Sequence, residues 1–356
     1  MASPGTDRSA TVRTAALATL AVVAAVAALY LARDFFIPIA VALLFNALLR
    51  PPVRWLERLG LPAPVGAAVV MLAFAGALVW GTVALAGPVQ RWIDEAPKDF
   101  ATAQSKLRNV RRSLTKITHA ARQVEQAASA EEPAADAPAP IPAPAGPGLA
   151  ARLFGTTTAF VAGLIEVLLL AYLLLAVGTL FLRKLLRVVS REEKAVARTI
   201  VSEIKVVIER YVLVTVAINV VQGALVGLVL WLLGMPNPVL WGVATLFLEA
   251  IPYLGATVMV GALSLAAFAA FDGVGRILLV PGAYLAITTL QNNIVSPVAY
   301  GRGLKLNPVA VLIAVMFWWF LWGVPGAFLA VPIVAAARII ADHTDGLTAL
   351  GEFLGA

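Results

Sequence analysis

Residues 211–248 read YVLVTVAINVVQGALVGLVLWLLGMPNPVLWGVATLFL, thirty-eight positions without one charged side chain. A helix needs about 20 such residues to cross a hydrocarbon core of about 30 Å. The stretch is therefore too long for one crossing and too apolar for a soluble surface. It carries its own punctuation in Gly234-Met235-Pro236-Asn237-Pro238. Proline lacks a backbone donor and clashes with the preceding turn, so Pro236 and Pro238 divide the run into two membrane helices.

Composition extends this reading to the whole chain. Of 356 residues, 61% are hydrophobic and 13% charged, against about 45–50% and about 25% in soluble domains. Toward the N-terminus, basic Arg8 and Arg13 precede an uncharged run from Thr14 to Ala32. Basic flank and apolar run have the outline of a signal peptide, but its length and the further spans after it make it an uncleaved first helix. A second run covers Phe35–Leu49, a basic loop Arg50–Arg58, and a third run Gly60–Gln90. Residues 1–90 thus hold three transmembrane helices. A hydrophilic, broadly helical excursion comes next over 91–152, with an Ala/Pro-rich linker at 127–148 that cannot bury apolar surface. A fourth helix occupies 153–182.

Residues 183–210 are the most basic segment. Ser190 and Glu193 form a capping box, and Val196, Ile200, Ile204 and Ile208 form a stripe at spacing four. This reads as an amphipathic helix lying against the membrane face or the bundle. The C-terminal helices, five to eight, fill 211–340, and 341–356 is a tail. Breaks recur here. Glu249–Gly255 interrupts the apolar run, which resumes to Phe271; the seventh helix spans Ile277–Val295. Asn307 is an N-cap with Pro308 at the first helical position. Pro308–Ala337 is uncharged and would be roughly 45 Å long if all helical. That overshoots the bilayer, so the element tilts, kinks or breaks, with Pro325 in Gly323-Val324-Pro325-Gly326 marking the place.

The expected fold is an all-α polytopic membrane protein with about eight transmembrane helices, some broken or re-entrant, and a small extracytoplasmic excursion. Basic residues face the cytoplasm, which puts 1–13, 50–58 and 183–210 inside, along with both termini. Arg302 and Lys305 then fall outside, against the rule. A re-entrant element near the C-terminus would remove that conflict. The net charge of +7 reads as this cytoplasmic decoration, with no nucleic acid implied.

Several chemistries lack their residues. Without cysteine there is no disulfide or thiolate site, and His119 and His343 are too far apart in sequence to suggest a metal centre. No phosphate-binding loop, His-Glu-x-x-His or Gly-x-Ser-x-Gly occurs. The chain is therefore expected to be no enzyme, to need no cofactor, and to drive transport without ATP.

Polar groups inside spans are costly and face the bundle interior or a water-filled cavity. Glu249 sits mid-run with Pro252 three residues on. Pro252 deprives the Leu248 carbonyl of its donor, and Gly255 permits further distortion. A carboxylate beside freed carbonyls has the form of a broken-helix site where cations or protons couple to transport. The plainer alternative is an interfacial carboxylate paired with an arginine. Asn219 and Gln222 share a helix face with Gly223 and Gly227; the amides suit solute contact and the glycines close helix packing, and packing alone would also account for all of them. Gln291, Asn292 and Asn293 come after Thr288 and Thr289 and precede Pro297, another helix break. They contact a polar solute, or mark a helix already emerged into water. Glu166, alone in a leucine-rich helix, is a proton relay or an interhelical hydrogen bond.

The C-terminal half also resembles a known family. The matching residues are Trp231-Leu232-Leu233-Gly234-Met235-Pro236, then Leu248-Glu249-Ala250-Ile251-Pro252-Tyr253-Leu254-Gly255. Ser296-Pro297, Gly301-Arg302 and Leu306-Asn307-Pro308 are next, and last Trp322-Gly323-Val324-Pro325-Gly326-Ala327-Phe328-Leu329-Ala330-Val331-Pro332. The ordered set resembles the autoinducer-2 exporters, or PerM-like permeases, and hydropathy extends the likeness over nearly the whole chain. The resemblance implies a multi-pass protein of the bacterial inner membrane, homo-oligomeric, exporting a small quorum-sensing signal or exchanging sodium for protons. The substrate is thus a small molecule or an ion. A membrane scaffold, docking partners on the 183–210 helix, is the rival from another class.

Overall fold

The computed structural model describes residues 5–91, 157–178, 194–300, 306–344 and 346–355. The excursion beyond Arg91 with its linker, His119, the capping box at Ser190 and Glu193, and Arg302 and Lys305 lie outside the described residues. Among the described residues the regular structure is helical, with one isolated bridge. It is the all-α polytopic membrane fold that the sequence implies.

Helices α1 (Gly5–Leu31) and α2 (Arg33–Arg58) are joined at Ala32. Helix α3 covers Ala63–Arg91 and α4 Thr157–Val177. Ala42, Leu49 and Val53 of α2 pack with Ala67 and Met71 of α3 and with Val167, Ala171 and Leu175 of α4. These three helices form an N-terminal bundle whose outer residues, such as Val69, Leu72, Ile165 and Leu169, are apolar and exposed.

Helix α5 (Lys194–Leu232) runs unbroken for 39 residues, about 58 Å at 1.5 Å per residue. This corrects the separate amphipathic helix expected to end at residue 210. Nothing between Arg210 and Tyr211 stops a helix, so the charged part continues the span along one axis. Its stripe turns toward the bundle: Ile208 packs with Val212 against α2 and the C-terminal helices.

Short helices come next. Helix α6 (Pro238–Leu248) has 11 residues and α7 (Leu254–Ala270) has 17. Helix α6 packs antiparallel on α5: Asn219 meets Leu246, while Gly223 and Gly227 meet Gly242. Each of Gly223 and Gly242 would place a Cβ within 2.6 Å of the other's carbonyl oxygen, so only glycine allows this approach. The chain reverses at 249–253, and α7 packs back along α6. The pair is a helical hairpin whose base lies beside the end of α5, where Met235 N–H donates to the Leu230 carbonyl.

Helix α8 (Val274–Tyr300) continues past Pro297. Pro297, expected to break the helix, instead accompanies a π turn at Gln291–Val295, closed by Ser296 N–H donating to the Gln291 carbonyl. The wider turn absorbs the missing donor, so the helix survives.

The thirty-residue run from Pro308 is two helices, α9 (Pro308–Trp322) and α10 (Val324–Asp342). Gly323 at φ +65° reverses the chain between them, with Pro325 in the first turn of α10. Ala310 packs with Val334 at one end of this second hairpin, and Gly326 sits against Trp318 near the turn. A final helix, α11 (Thr348–Leu354), closes the base, where Asn307 N–H donates to the Leu354 carbonyl at 3.0 Å. Leu306, next after Lys305, pairs with Gly355. The start of α9 and the tail therefore share one side.

The hairpins enter from opposite ends of α5. The base of α9–α10 lies at its charged end, where His343 approaches Glu203 at 3.7 Å. The base of α6–α7 lies at the other end. Their tips meet inside: Ile251 and Leu254 pack with Val315, Ala327 and Ala330. Five helices among the described residues (α2, α3, α5, α8 and α10) are long and apolar enough to cross a membrane; α6, α7 and α9 are shorter apolar helices.

Candidate functional site

A cavity of about 650 Å³ opens where the two tips meet α5 and α8. Helix α5 supplies Tyr211, Thr215 and Asn219; α8 supplies Gln291, Asn292, Ser296 and Tyr300. The first hairpin contributes Glu249, Pro252 and Tyr253 from its turn, and Leu306, Val311 and Val331 close the side of the second hairpin. Glu249 is the one ionisable acid or base among the described lining residues apart from the tyrosines.

The turn that presents Glu249 is tightly made. Glu249 N–H donates to the Thr245 carbonyl as the last bond of α6. Pro252 does not leave the Leu248 carbonyl free, as the sequence suggests: that oxygen accepts from Ile251 N–H at 3.0 Å. Tyr253 then takes φ +64°, a left-handed conformation rare for a residue with a side chain. Such geometry costs on the order of 1–3 kcal/mol and clusters at functional sites. Gly255 lies directly beneath the Leu248 carbonyl, where a Cβ would collide with it.

Glu249 is held from behind the cavity. One carboxylate oxygen accepts from the Tyr284 hydroxyl and, at 3.4 Å, from the Thr288 hydroxyl. Gln222 donates its side-chain N–H to Thr288 Oγ1 at 3.1 Å. An amide nitrogen can only donate, so the Thr288 proton is directed toward Glu249. Gln222, Tyr284 and Thr288 are all at most 4% exposed, so this chain runs through protein and not through solvent. Around the cavity, Thr215 donates to the Tyr211 carbonyl and shares a 2.7 Å hydrogen bond with the Tyr300 hydroxyl, whose ring stacks on Tyr211. Gln291 donates to Ser296 at 2.9 Å across the π turn.

The residues singled out from sequence divide into three sets. Glu249, Pro252, Asn219, Gln291 and Asn292 line the cavity. Gln222 stands behind it and reaches Glu249 through Thr288. Gly255 shapes the turn, and Gly223 and Gly227 hold α6 against α5. The third set is not brought there. Asn293 donates to the Thr289 carbonyl of its own helix, and Glu166 is exposed on α4, a helix of the N-terminal bundle. Neither of these two residues, expected to serve in solute contact and ion coupling, lines the cavity. Charge and helix breaks do not single out Tyr211, Thr215, Tyr284 and Tyr300 as site residues. A signal is nonetheless present: Tyr211, Thr215, Asn219 and Gln222 succeed one another at steps of four, four and three, one continuous polar face.

Chemically, the cavity offers one carboxylate, neutral amides and hydroxyls, and aromatic walls. Such a lining can hydrogen-bond polar groups and sets one carboxylate beside them.

Comparison with known proteins bears on this reading. A family model described as "AI-2E family transporter" matches residues 19–346. The candidate transport protein YhhT of Escherichia coli strain K12 is 24% identical over 363 aligned positions, covering 100% of this chain and 97% of its own. A candidate transport protein of Borreliella burgdorferi is 26% identical over 57% of each chain. The AI-2 transport protein TqsA of E. coli K12 is 30% identical over 39% of this chain and 40% of its own. The matched stretches thus span little more than half of the Borreliella relative and less than half of TqsA.

Proposed function

The chain belongs to the AI-2E family of transporters, and from that premise we propose that it is a permease for a small polar solute, using the cavity between the hairpin tips. The observation that carries this reading is the placement of Glu249. A carboxylate on a broken helix, buried behind by Tyr284 and Thr288 and open to a cavity in front, is costly in a membrane unless it binds something. In this reading Glu249 takes the coupling cation or proton, and Asn219, Gln291 and Asn292 contact the solute. The solute is of the autoinducer-2 type, exported by a gradient or by facilitated passage without ATP. The protein sits in the bacterial inner membrane with both termini cytoplasmic, as a homo-oligomer.

The test is flux of labelled autoinducer-2 in proteoliposomes of the purified full-length chain. Wild type is expected to exceed protein-free vesicles, and Glu249→Gln to lose about tenfold or more of that rate. Equal rates in wild-type and protein-free vesicles would remove this solute, and an unaffected Glu249→Gln would remove the coupling role.

The lone carboxylate favours a second reading, a sodium/proton antiporter. Sodium-dependent dequenching of a pH-sensitive dye, lost in Glu249→Gln and indifferent to Asn292→Ala, would select it. No dye response would reject it.

A further inference from the structure

A second cavity, of about 430 Å³, lies among α2, the end of α4, the charged part of α5, and α10. Its walls are mainly aliphatic, with Leu44 and Ala47 on α2, Ile204 and Ile208 on α5, and Leu329 and Ile333 on α10; Asn46, one turn from Arg50, is the neutral amide among them. Its charged lining residues, Arg50, Lys205 and Glu209, belong to the end of the molecule where α2 and α5 become polar. On α2 the wall continues from Arg50 to Ala40, roughly 15 Å deeper along the helix.

The charged residues are ordered and unbalanced. Arg50 donates to the Leu175 carbonyl at 2.8 Å, which fixes its guanidinium, and lies 3.9 Å from Glu57. Glu209 is engaged by Arg54 at 2.6 Å. Lys205 has no ion pair among the described residues. Among the described lining residues, Arg50 and Lys205 set against Glu209 leave one positive charge in excess at the mouth.

The groove deeper than Asn46 does not hold water favourably, since water against Ala40, Leu43 and Leu44 would forgo hydrogen bonds. In a bilayer the surrounding hydrocarbon is the available filler. The mouth then selects the headgroup, because basic residues at a membrane surface attract anionic lipid. We propose that this groove binds one anionic phospholipid, with an acyl chain between α2, α5 and α10 and its phosphate against Lys205 and Arg50. The acyl chain packs on Leu329 and Ile333, within the arm of the hairpin whose tip closes the Glu249 cavity. The proposal concerns a different cavity and stands whether or not the transport reading holds.

Native mass spectrometry of the full-length protein, released from vesicles of equal phosphatidylglycerol and phosphatidylcholine, tests it without any transported solute. Wild type is expected to retain one phosphatidylglycerol about tenfold over phosphatidylcholine. Lys205→Glu should abolish that preference and Lys205→Arg should keep it. Ala336→Trp, which fills the groove from α10, should remove the retained lipid of either kind while circular dichroism remains that of wild type. Equal retention of the two lipids by wild type would overturn the charge argument. Retention unchanged in a folded Ala336→Trp would overturn the site itself, placing the lipid on the outer surface.

Discussion

Gly255 shows how much a single position decides. Its missing side chain lets the first turn of α7 pass under the Leu248 carbonyl, and this sets the aim of Glu249. Gly255→Ala is expected to destabilise the protein by roughly 2–4 kcal/mol, because the backbone on both sides must move. Gly261, in the same helix, has nothing within 4 Å of its would-be Cβ. Gly261→Ala should therefore be neutral, or stabilising by up to about 1 kcal/mol from helix propensity. Thermal midpoints of the two purified variants check the contrast; equal midpoints would mean that the approach at Leu248 can relax. The sequence marks Gly255 as a place of distortion, but for a partly different reason, a freed Leu248 carbonyl. The backbone instead closes a tighter bond from Ile251, since an unpaired carbonyl in a membrane interior costs several kcal/mol.

Among the elements, α8 is where local rules and outcome diverge. Proline in a helix interior ordinarily ends or kinks it. Here one extra residue in the turn at Gln291–Val295 takes up the lost bond and rotates the last turns of the helix, which sets Ser296 and Tyr300 toward the cavity. Pro297→Ala restores a donor and allows a plain α turn, which would swing Tyr300 by about 100°. It is expected to break the Thr215–Tyr300 hydrogen bond and to lower solute flux several-fold, with the fold retained by circular dichroism. Unchanged flux would show that the π turn is incidental to transport. The hairpin α9–α10 is half legible in the same way. Its excess length and the Gly323–Gly326 break are plain in the sequence. Whether the helix bends or reverses depends on Gly326 fitting against Trp318, a contact across the turn.

For the whole molecule, the arrangement that matters is two hairpins entering from opposite ends and meeting at their tips. If the cavity is a passage, those tips must part. Cysteines replacing Ile251 and Ala327, which share one packed cluster, offer a direct check because the native chain has no cysteine. A short bifunctional thiol crosslinker should stop flux in the double variant and leave each single variant active. Continued flux in fully crosslinked protein would mean that the tips stay together through the cycle.

Hydropathy and punctuation are sufficient to establish a many-helix membrane protein and the positions of most breaks, and they single out Glu249 as a carboxylate inside a long apolar run. These are local properties: an uncharged run has one favourable solvent, and proline or glycine acts within a turn. Partnership is not local. Gln222 and Thr288 are 66 residues apart, and Glu249 meets Tyr284 across 35. Such pairs form only when α5, α6 and α8 are packed, and a membrane interior forces the pairing because it offers buried polar groups no water. The same packing leaves Glu166 and Asn293 outside the cavity, although in the sequence they look as well placed as the residues that line it.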